Sequence, residues 1–287
     1  MKPDTPNPPP SPRFLNDLHS HSSASDGESS PAQLVDLAAE AGVKVLALTD
    51  HDTIAGVPAA IERGRARGVE VIPGCELTIY EGDCELHLLA LFIDSSPGTK
   101  FSARLEELQK YRLERALLSA SKLRQAGFAI SGDDVLEAAR GAKSVGRPHV
   151  AAALAKRGYA ASLQAAFHAF LEPGGVGYVP MPEVAPEEAF AAIHAGGGLA
   201  ILAHPGALPH DELIAPLFRR GLDGLEVWHP SHSEVNRHFY AGLARRYGKL
   251  VSGGSDYHGP IVKPGVNLGD AGVDAQTLAQ LRQAADF

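Results

Sequence analysis

The chain has 287 residues, a formal net charge of −8, and 44% hydrophobic against 21% charged residues, an ordinary globular balance with enough apolar material for a sizeable core. The acidic balance argues against a general nucleic-acid binder, and no apolar run approaches the roughly 18–20 residues that a membrane-spanning helix needs. Two cysteines, Cys75 and Cys84, supply neither a disulfide framework nor a zinc-ribbon spacing, and read as small buried residues of a reduced, cytoplasmic protein.

Residues 1–13, MKPDTPNPPPSPR, carry six prolines and no apolar h-region, and read as a disordered tail and not a signal peptide. Strand and helix then alternate. RFLNDLH is a short strand, and SSPAQLVDLAAEAG is a helix with Ser at its cap, Pro31 in its first turn and Gly42 after its end. VKVLALTDHD is a second, buried strand and GVPAAIERGRARG a second helix; VEVIPGCEL and CELHLLALFI make strands three and four.

Alternation stops at residue 100. Residues 100–172 are helical in pattern almost throughout, in the pieces FSARLEELQKYRLERALLSASKLRQAG, SGDDVLEAARG, RPHVAAALAKRG and SLQAAFHAFL. Residues 100–160 hold 12 Lys and Arg against 6 Asp and Glu, while the remainder holds 14 against 28. One basic segment on an acidic body fits a lid over a site that binds an anion. Strand and helix then resume, with GLAILAHPG, LDGLEVWHP and KLVSGGSDYHG as three further strands. The pattern predicts an α/β protein of β/α-barrel type formed by residues 14–99 and 173–287, with residues 100–172 as a helical insertion.

The predicted strand ends carry the chemistry. His19 and His21 end the first, followed by Asp26; Asp50, His51 and Asp52 end the second. Glu76 ends the third, His87 lies on the fourth, and His204, His229 and the Asp256–His258 pair follow on the rest. In a parallel barrel these ends gather on one face. Residues i and i+2 of a strand point the same way, so His19 and His21, or Asp256 and His258, can grip one ion together. A single strand-end histidine is most often a hydrogen-bonded structural residue. Six of 13 histidines placed with Asp26, Glu76 and Asp256 at successive strand ends point instead to a metal site.

DLHSHSSASDG, LALTDHDT, GCEL, LHLLALF, AHPG and GSDYH, in that order, resemble the motifs of the polymerase-and-histidinol-phosphatase (PHP) family of metallophosphoesterases, over residues 14 to about 270. The resemblance implies a distorted seven-stranded β/α barrel holding two or three divalent ions. It assigns His19, His21, Glu76 and Asp256 to the first ion, Glu76 with His87 and His204 to the second, and Asp26, His51 and His258 to the third. GRPHVAAALAKRGY and EAFAAIHAGGGLAILAHPG resemble one bacterial branch, the 3′,5′-nucleotide bisphosphate phosphatases, which includes a ribonuclease that trims short RNA from its 5′ end. The implied substrates are therefore a nucleotide bisphosphate or short 5′-phosphorylated RNA, with no membrane and no obligate protein partner.

Mixed imidazole and carboxylate ligands favour Mn²⁺, with Fe²⁺ or Zn²⁺ as alternatives, over Mg²⁺ or copper. A metal-bound hydroxide is then the expected nucleophile, held by His19, His21, Glu76 and Asp256. Neither a P-loop nor a G-x-S-x-G motif is present. Asp17, Asp50 and Asp52 are candidates for orienting the ligating imidazoles or for capping loops. Arg147, assisted by Lys143, is the expected clamp for a second phosphate, and His229 the expected proton donor to the leaving oxygen. His149 reads chiefly as a packing or capping residue, Arg112 and Arg115 as residues of a long helix for which a surface ion pair is at least as good a reading as a substrate contact, and Trp228 as a core residue or a platform for a base. The alternative activity is a small-metabolite phosphatase of the histidinol-phosphate type, which would need an acidic residue for the substrate's amine.

Overall fold

A computed structural model describes residues 14–82, 84–181 and 184–285, so the proline-rich tail lies outside the described residues. VLAL, LAIL and GLEVW are short apolar runs buried along nearly their whole length, the signature of interior parallel strands. They belong to a seven-stranded sheet of β1 Asn16–Asp17, β2 Val45–Leu48, β3 Glu70–Glu81, β4 Cys84–Leu91, β5 Leu199–Leu202, β6 Gly224–Trp228 and β7 Leu250–Gly253, in that spatial order. The helices are α1 Pro31–Ala41, α2 Val57–Arg67, α3 Lys100–Gln125, α4 Gly132–Ala139, α5 Arg147–Lys156, α6 Leu163–Phe170, α7 Pro186–Ala195, α8 Ile214–Arg220, α9 Glu234–Arg246 and α10 Ala275–Ala284. Among them, none is long and apolar enough to cross a membrane.

Sequence-level punctuation sets the local ends. The Ser30 hydroxyl accepts the Gln33 amide at the start of α1, and Gly42 closes that helix at φ 86°. The alternating pattern fails at one place. β3 does not stop near Glu76 but continues to Glu81, turns through Gly82 at φ 57°, and pairs antiparallel with β4. A turn this short cannot carry a crossover helix, so the chain reverses. β4 is also antiparallel to β5, while the other neighbouring pairs are parallel. This is the distortion of the barrel. α10 is an element that the sequence reading did not anticipate.

Backbone bonds link the first strand to the last. The Leu18 amide donates to Gly253 O (3.2 Å), the Asp256 amide to His19 O (2.8 Å), and the His21 amide to Tyr257 O (2.9 Å). The sheet therefore closes on itself, and the segments after β1 and β7 lie side by side.

α3 joins two cores. Phe101, Leu105 and Leu108 pack with Leu88 and Ile193 against the sheet, whereas Ala116, Ala120 and Leu123 pack with Val135, Val150 and Leu154 of α4 and α5. The start of α5 is fastened to the loop after β1: the Lys143 and Ser144 amides donate to Ala24 O (2.9 and 3.2 Å), and His149 Nε2 bonds Ser25 O (3.0 Å). His149 Nδ1 accepts the Gly146 amide (3.0 Å), so this histidine caps its helix and ties two segments together.

Closure of the barrel leaves no room at Gly254, where a Cβ would run into the backbone of His19. Gly254→Ala is expected to cost about 1–3 kcal/mol, read as a lowered midpoint in urea unfolding; an unchanged midpoint would show that the two segments part freely.

Candidate metal centre

A carboxylate buried among imidazoles organises the site. Glu76 is 1% exposed and lies opposite Leu89 in the β3–β4 ladder, while Thr78, two residues on, lies opposite His87. Glu76 and His87 therefore share one face. Because β4 runs antiparallel, its beginning reaches the same rim that the parallel strands reach with their ends. The Glu76 oxygens face five imidazoles: Oε2 lies 3.2 Å from His19, 3.1 Å from His21 and 3.2 Å from His51, and Oε1 lies 3.0 Å from both His87 and His204.

Asp256 Oδ1 faces His19 (3.4 Å), His21 (3.3 Å) and His258 (3.3 Å), while Oδ2 faces His229 (3.3 Å) and contacts Lys263. Asp26 closes the other side, 3.8 Å from His21, 3.7 Å from His51 and 3.5 Å from His258. Three groups of potential ligand atoms each fall within 4.8 Å: His19, His21, Glu76 and Asp256; His51, Glu76 and His87; and His21, Asp26, His51 and His258. His204 adjoins the second through Glu76. The structure thus brings together all nine residues expected as ligands.

The donor set fits divalent cations. His21 Nδ1, His51 Nδ1 and His87 Nδ1 are buried without a hydrogen bond, although carboxylate oxygens lie 3.0–3.8 Å away. Close approach without hydrogen-bond geometry suits lone pairs aimed at shared centres. The charges agree. Burial opposes ionisation of Glu76, yet His51, His19 and His87 hold its carboxyl well below the usual range. Burial likewise opposes a charged His21 or His87, but Asp256 and Glu76 raise the first to about 9, and Glu76 and Glu85 raise the second to about 10. The carboxylates therefore draw positive charge into the rim. Backbone strain collects here too: of five non-glycine residues at positive φ among those described, Asp52 (50°), His204 (30°) and Asp256 (53°) belong to the site or its border.

Glu226, on β6, was missed by sequence reading. It is 0% exposed; its Oε1 accepts from His19 Nδ1 (2.9 Å) and its Oε2 from the His204 amide (2.7 Å). This fixes the His19 tautomer with Nε2 free toward Glu76. A glutamate inside the apolar run LDGLEVW was the available signal. Asp17, Asp50 and Asp52, considered for that orienting role, do not perform it. Asp17 accepts the Ser255 and Gly269 amides (2.8 and 2.9 Å), and Asp50 accepts the Ser22 amide and the Ser22 and Ser25 hydroxyls (2.7 Å each). Asp52 pairs with Arg112 (2.8 Å) and takes the Thr78 amide (3.1 Å). Asp17 and Asp50 hold loops, and Asp52 ties α3 to β3.

Beside His51 and His87 lies a cavity of about 100 Å³ lined by Arg112, Arg115, Arg147, Glu85 and Phe167. Arg112 and Arg115 are not surface ion-pair residues: they are 7% and 6% exposed, because α3 turns both toward the sheet. Arg147 lies over the Phe167 ring (5.0 Å) and contacts Glu85, whose other oxygen accepts from Tyr80 (2.6 Å). Lys143 is exposed and lines no part of this cavity, so the structure does not bring it to Arg147. Trp228 packs against both barrel core clusters, the core alternative of its two readings. His229 is buried against the centre, its Nδ1 2.7 Å from the Ser231 hydroxyl. His232 holds the turn after His204, accepting the Gly206 amide (3.0 Å).

The family model described as PHP domain matches residues 17–173. The chain is 34% identical to a phosphoribosyl 1,2-cyclic phosphate 1,2-diphosphodiesterase of Eggerthella lenta over 86% of this chain and 95% of that protein. It is 34% identical to a 3′,5′-nucleoside bisphosphate phosphatase of Chromobacterium violaceum, over 85% and 87% of the two chains. It is 36% identical to the 5′-3′ exoribonuclease Rnm of Salmonella typhimurium, over 89% and 88%. A crystal structure from Bifidobacterium adolescentis, described as a metal-dependent phosphoesterase, superposes with a TM-score of 0.87 at 33% identity, covering 96% of this chain and 97% of that one.

Removing the carboxylate behind His19 tests the geometry directly. Glu226→Gln is expected to weaken Mn²⁺ binding about 10–100-fold by calorimetry, with the fold retained by circular dichroism; unchanged affinity would remove Glu226 from the site.

Proposed function

The chain belongs to the PHP domain family and is a metal-dependent phosphoesterase, and we propose that it releases phosphate from nucleotides carrying both 3′ and 5′ phosphates and trims short 5′-phosphorylated RNA from its 5′ end. The observation that carries this reading is the cationic cavity against His51 and His87. Three guanidinium groups, those of Arg112, Arg115 and Arg147, gather there against two carboxylates, Asp52 and Glu85. A phosphate would balance the remaining positive charge. The relatives' names fit the same chemistry: a 3′,5′-nucleoside bisphosphate and a phosphoribosyl cyclic phosphate each carry two phosphate groups on one pentose.

His19, His21, Glu76 and Asp256 would hold one ion, Glu76, His87 and His204 a second, and Asp26, His51 and His258 a third, with manganese as the resident metal. Bound there, such ions lower the pKa of coordinated water and neutralise phosphate charge. The chain's own groups do the rest. Arg147 and Arg115 hold the substrate's other phosphate, and the Phe167 ring keeps the Arg147 guanidinium flat against the cavity wall. Glu85, part of the same lining, pairs with both arginines. His229, fixed between Ser231 and Asp256, faces the rim and delivers a proton to the departing oxygen. The same cationic lining disfavours an amine-bearing metabolite of the histidinol-phosphate type. The free thiols of Cys75 and Cys84 support a cytoplasmic setting.

The test is phosphate release from adenosine 3′,5′-bisphosphate with Mn²⁺, beside AMP and the Arg147→Ala variant. The bisphosphate is expected to be strongly preferred, and the variant to lose about 10²-fold in kcat/KM on it while AMP hydrolysis hardly changes. Equal rates on both substrates would instead indicate a general phosphomonoesterase.

A further inference from the structure

Two cavities of unequal size flank the candidate ion cluster. The arginine cavity, about 100 Å³, is smaller than the roughly 300–1,000 Å³ typical of small-molecule sites and suits a phosphate, not a nucleoside. The second, about 540 Å³, lies on the Asp26 side, between the loop after β1, helices α4 and α5, and Ile261–Val262. Asp26 forms part of its wall, and Pro148 borders both cavities. Asp26 is the one member of the ligand set in its lining, and none of the clamp arginines lines it.

Its lining is mixed. Ala152, Leu163 and Val262 give apolar surface, and Ser23 and Ser25 give polar surface. Each of its three acids has a partner: Asp26 faces His51 and His258, Glu28 Oε1 accepts the Ile261 and Val262 amides (2.5 and 2.7 Å), and Glu137 pairs with Lys156 (2.7 Å) in the same lining. Of the two cations in the lining, Lys156 and Arg140, Arg140 makes no ion pair among the described residues. Apolar faces, hydroxyls and one unopposed guanidinium suit a sugar and base followed by a phosphate.

Bond chemistry gives the cavity a role. A bisphosphate losing its 3′ phosphate and an RNA losing its first nucleotide break the same P–O3′ bond. Water's oxygen adds to phosphorus, O3′ leaves with a proton, and the phosphate departs free or as the new 5′ end of the shortened chain. The RNA differs only in carrying a second nucleotide on the phosphate under attack. With the first nucleotide's 5′ phosphate among the arginines, that second nucleotide must leave the cluster on the other side. We propose that the cavity beside Asp26 receives the second nucleotide of a short RNA, with Arg140 facing the phosphate that follows it. The inference rests on the activity proposed above.

Ala152→Phe, which fills the cavity, and Arg140→Glu, which reverses its charge, test the assignment with Mn²⁺ on three substrates: adenosine 3′,5′-bisphosphate, 5′-phosphorylated diadenylate and 5′-phosphorylated triadenylate. Ala152→Phe is expected to lower kcat/KM on the diadenylate at least about tenfold while changing the bisphosphate by less than about twofold. Arg140→Glu is expected to act chiefly on the triadenylate. In EDTA, its binding of the triadenylate by calorimetry should weaken, with a salt slope reduced by about 1. Equal losses on all substrates, or none on any, would overturn the assignment. Wild-type protein that cleaves the bisphosphate but not RNA would overturn it and leave the phosphatase reading standing. Protein inactive on all three would remove both.

Discussion

One carboxylate with five imidazoles around it is the constraint from which the rest of this structure follows. Glu76 is buried, and an isolated buried carboxylate is costly by several kcal/mol even after relaxation. What offsets that cost is the set of imidazoles 3.0–3.2 Å from both of its oxygens. Among these, His19 and His21 on one side and His87 on the other favour the charged form, while burial keeps His51 and His204 toward the neutral one. Five ring partners cannot come from one or two neighbouring strands. They come from the segment after β1, the end of β2, the beginning of β4 and the end of β5, so the sheet has to curl until these meet. The backbone bonds between the His19–His21 segment and the Asp256–Tyr257 segment are that closure.

The antiparallel β3–β4 pair is the second consequence. With a crossover helix after β3, Glu76 and His87 would stand on successive parallel strands. A hairpin instead places them on one face of a single ladder, separated by a register of two residues. His204 and Asp256 reach the same rim only in left-handed backbone conformations, each costing about 1–3 kcal/mol. Glu226 takes the His204 amide, Asp17 takes the Ser255 amide, and the Glu28 amide donates to His258 O (2.9 Å), so neighbouring bonds sustain those conformations. Rigidity at the rim is therefore inherited from groups that touch no ligand.

What the sequence disclosed depended on whether a residue's role could be read from its own neighbours along the chain. His19 and His21, or Asp256 and His258, announce themselves by i, i+2 spacing at the end of a strand, and the Ser30 cap and Gly42 stop by local hydrogen bonding. Arg112 and Arg115 did not, because nothing in a helical repeat of charged residues says that one face of α3 will be turned onto β3 and β4. Glu226 sat in plain view inside an apolar strand, but its two partners are 207 and 22 residues away. The reversal at Gly82 was hidden by the strand pattern itself, since a buried parallel strand and a buried hairpin strand have the same composition.

The helices between β4 and α7 take their meaning from where they touch the barrel. α3 lays Arg112 on Asp52 and Thr78, and α5 begins at Gly146, where a Cβ would strike the Arg112 guanidinium. That close approach sets Arg147 and Pro148 between the two cavities, and the His149 bond to Ser25 holds this partition against the loop that carries Asp26. The rim is thus divided by one short helix start, with a small, strongly cationic space on one side and a larger, mixed one on the other. Such an asymmetry gives a substrate a direction. In the function proposed here, a terminal phosphate sits among the arginines and whatever is esterified to the phosphate under attack extends toward the space beside Asp26. A chain cut in this orientation would leave a new terminal phosphate on the piece that remains, the group that the proposed arginine clamp takes in another round.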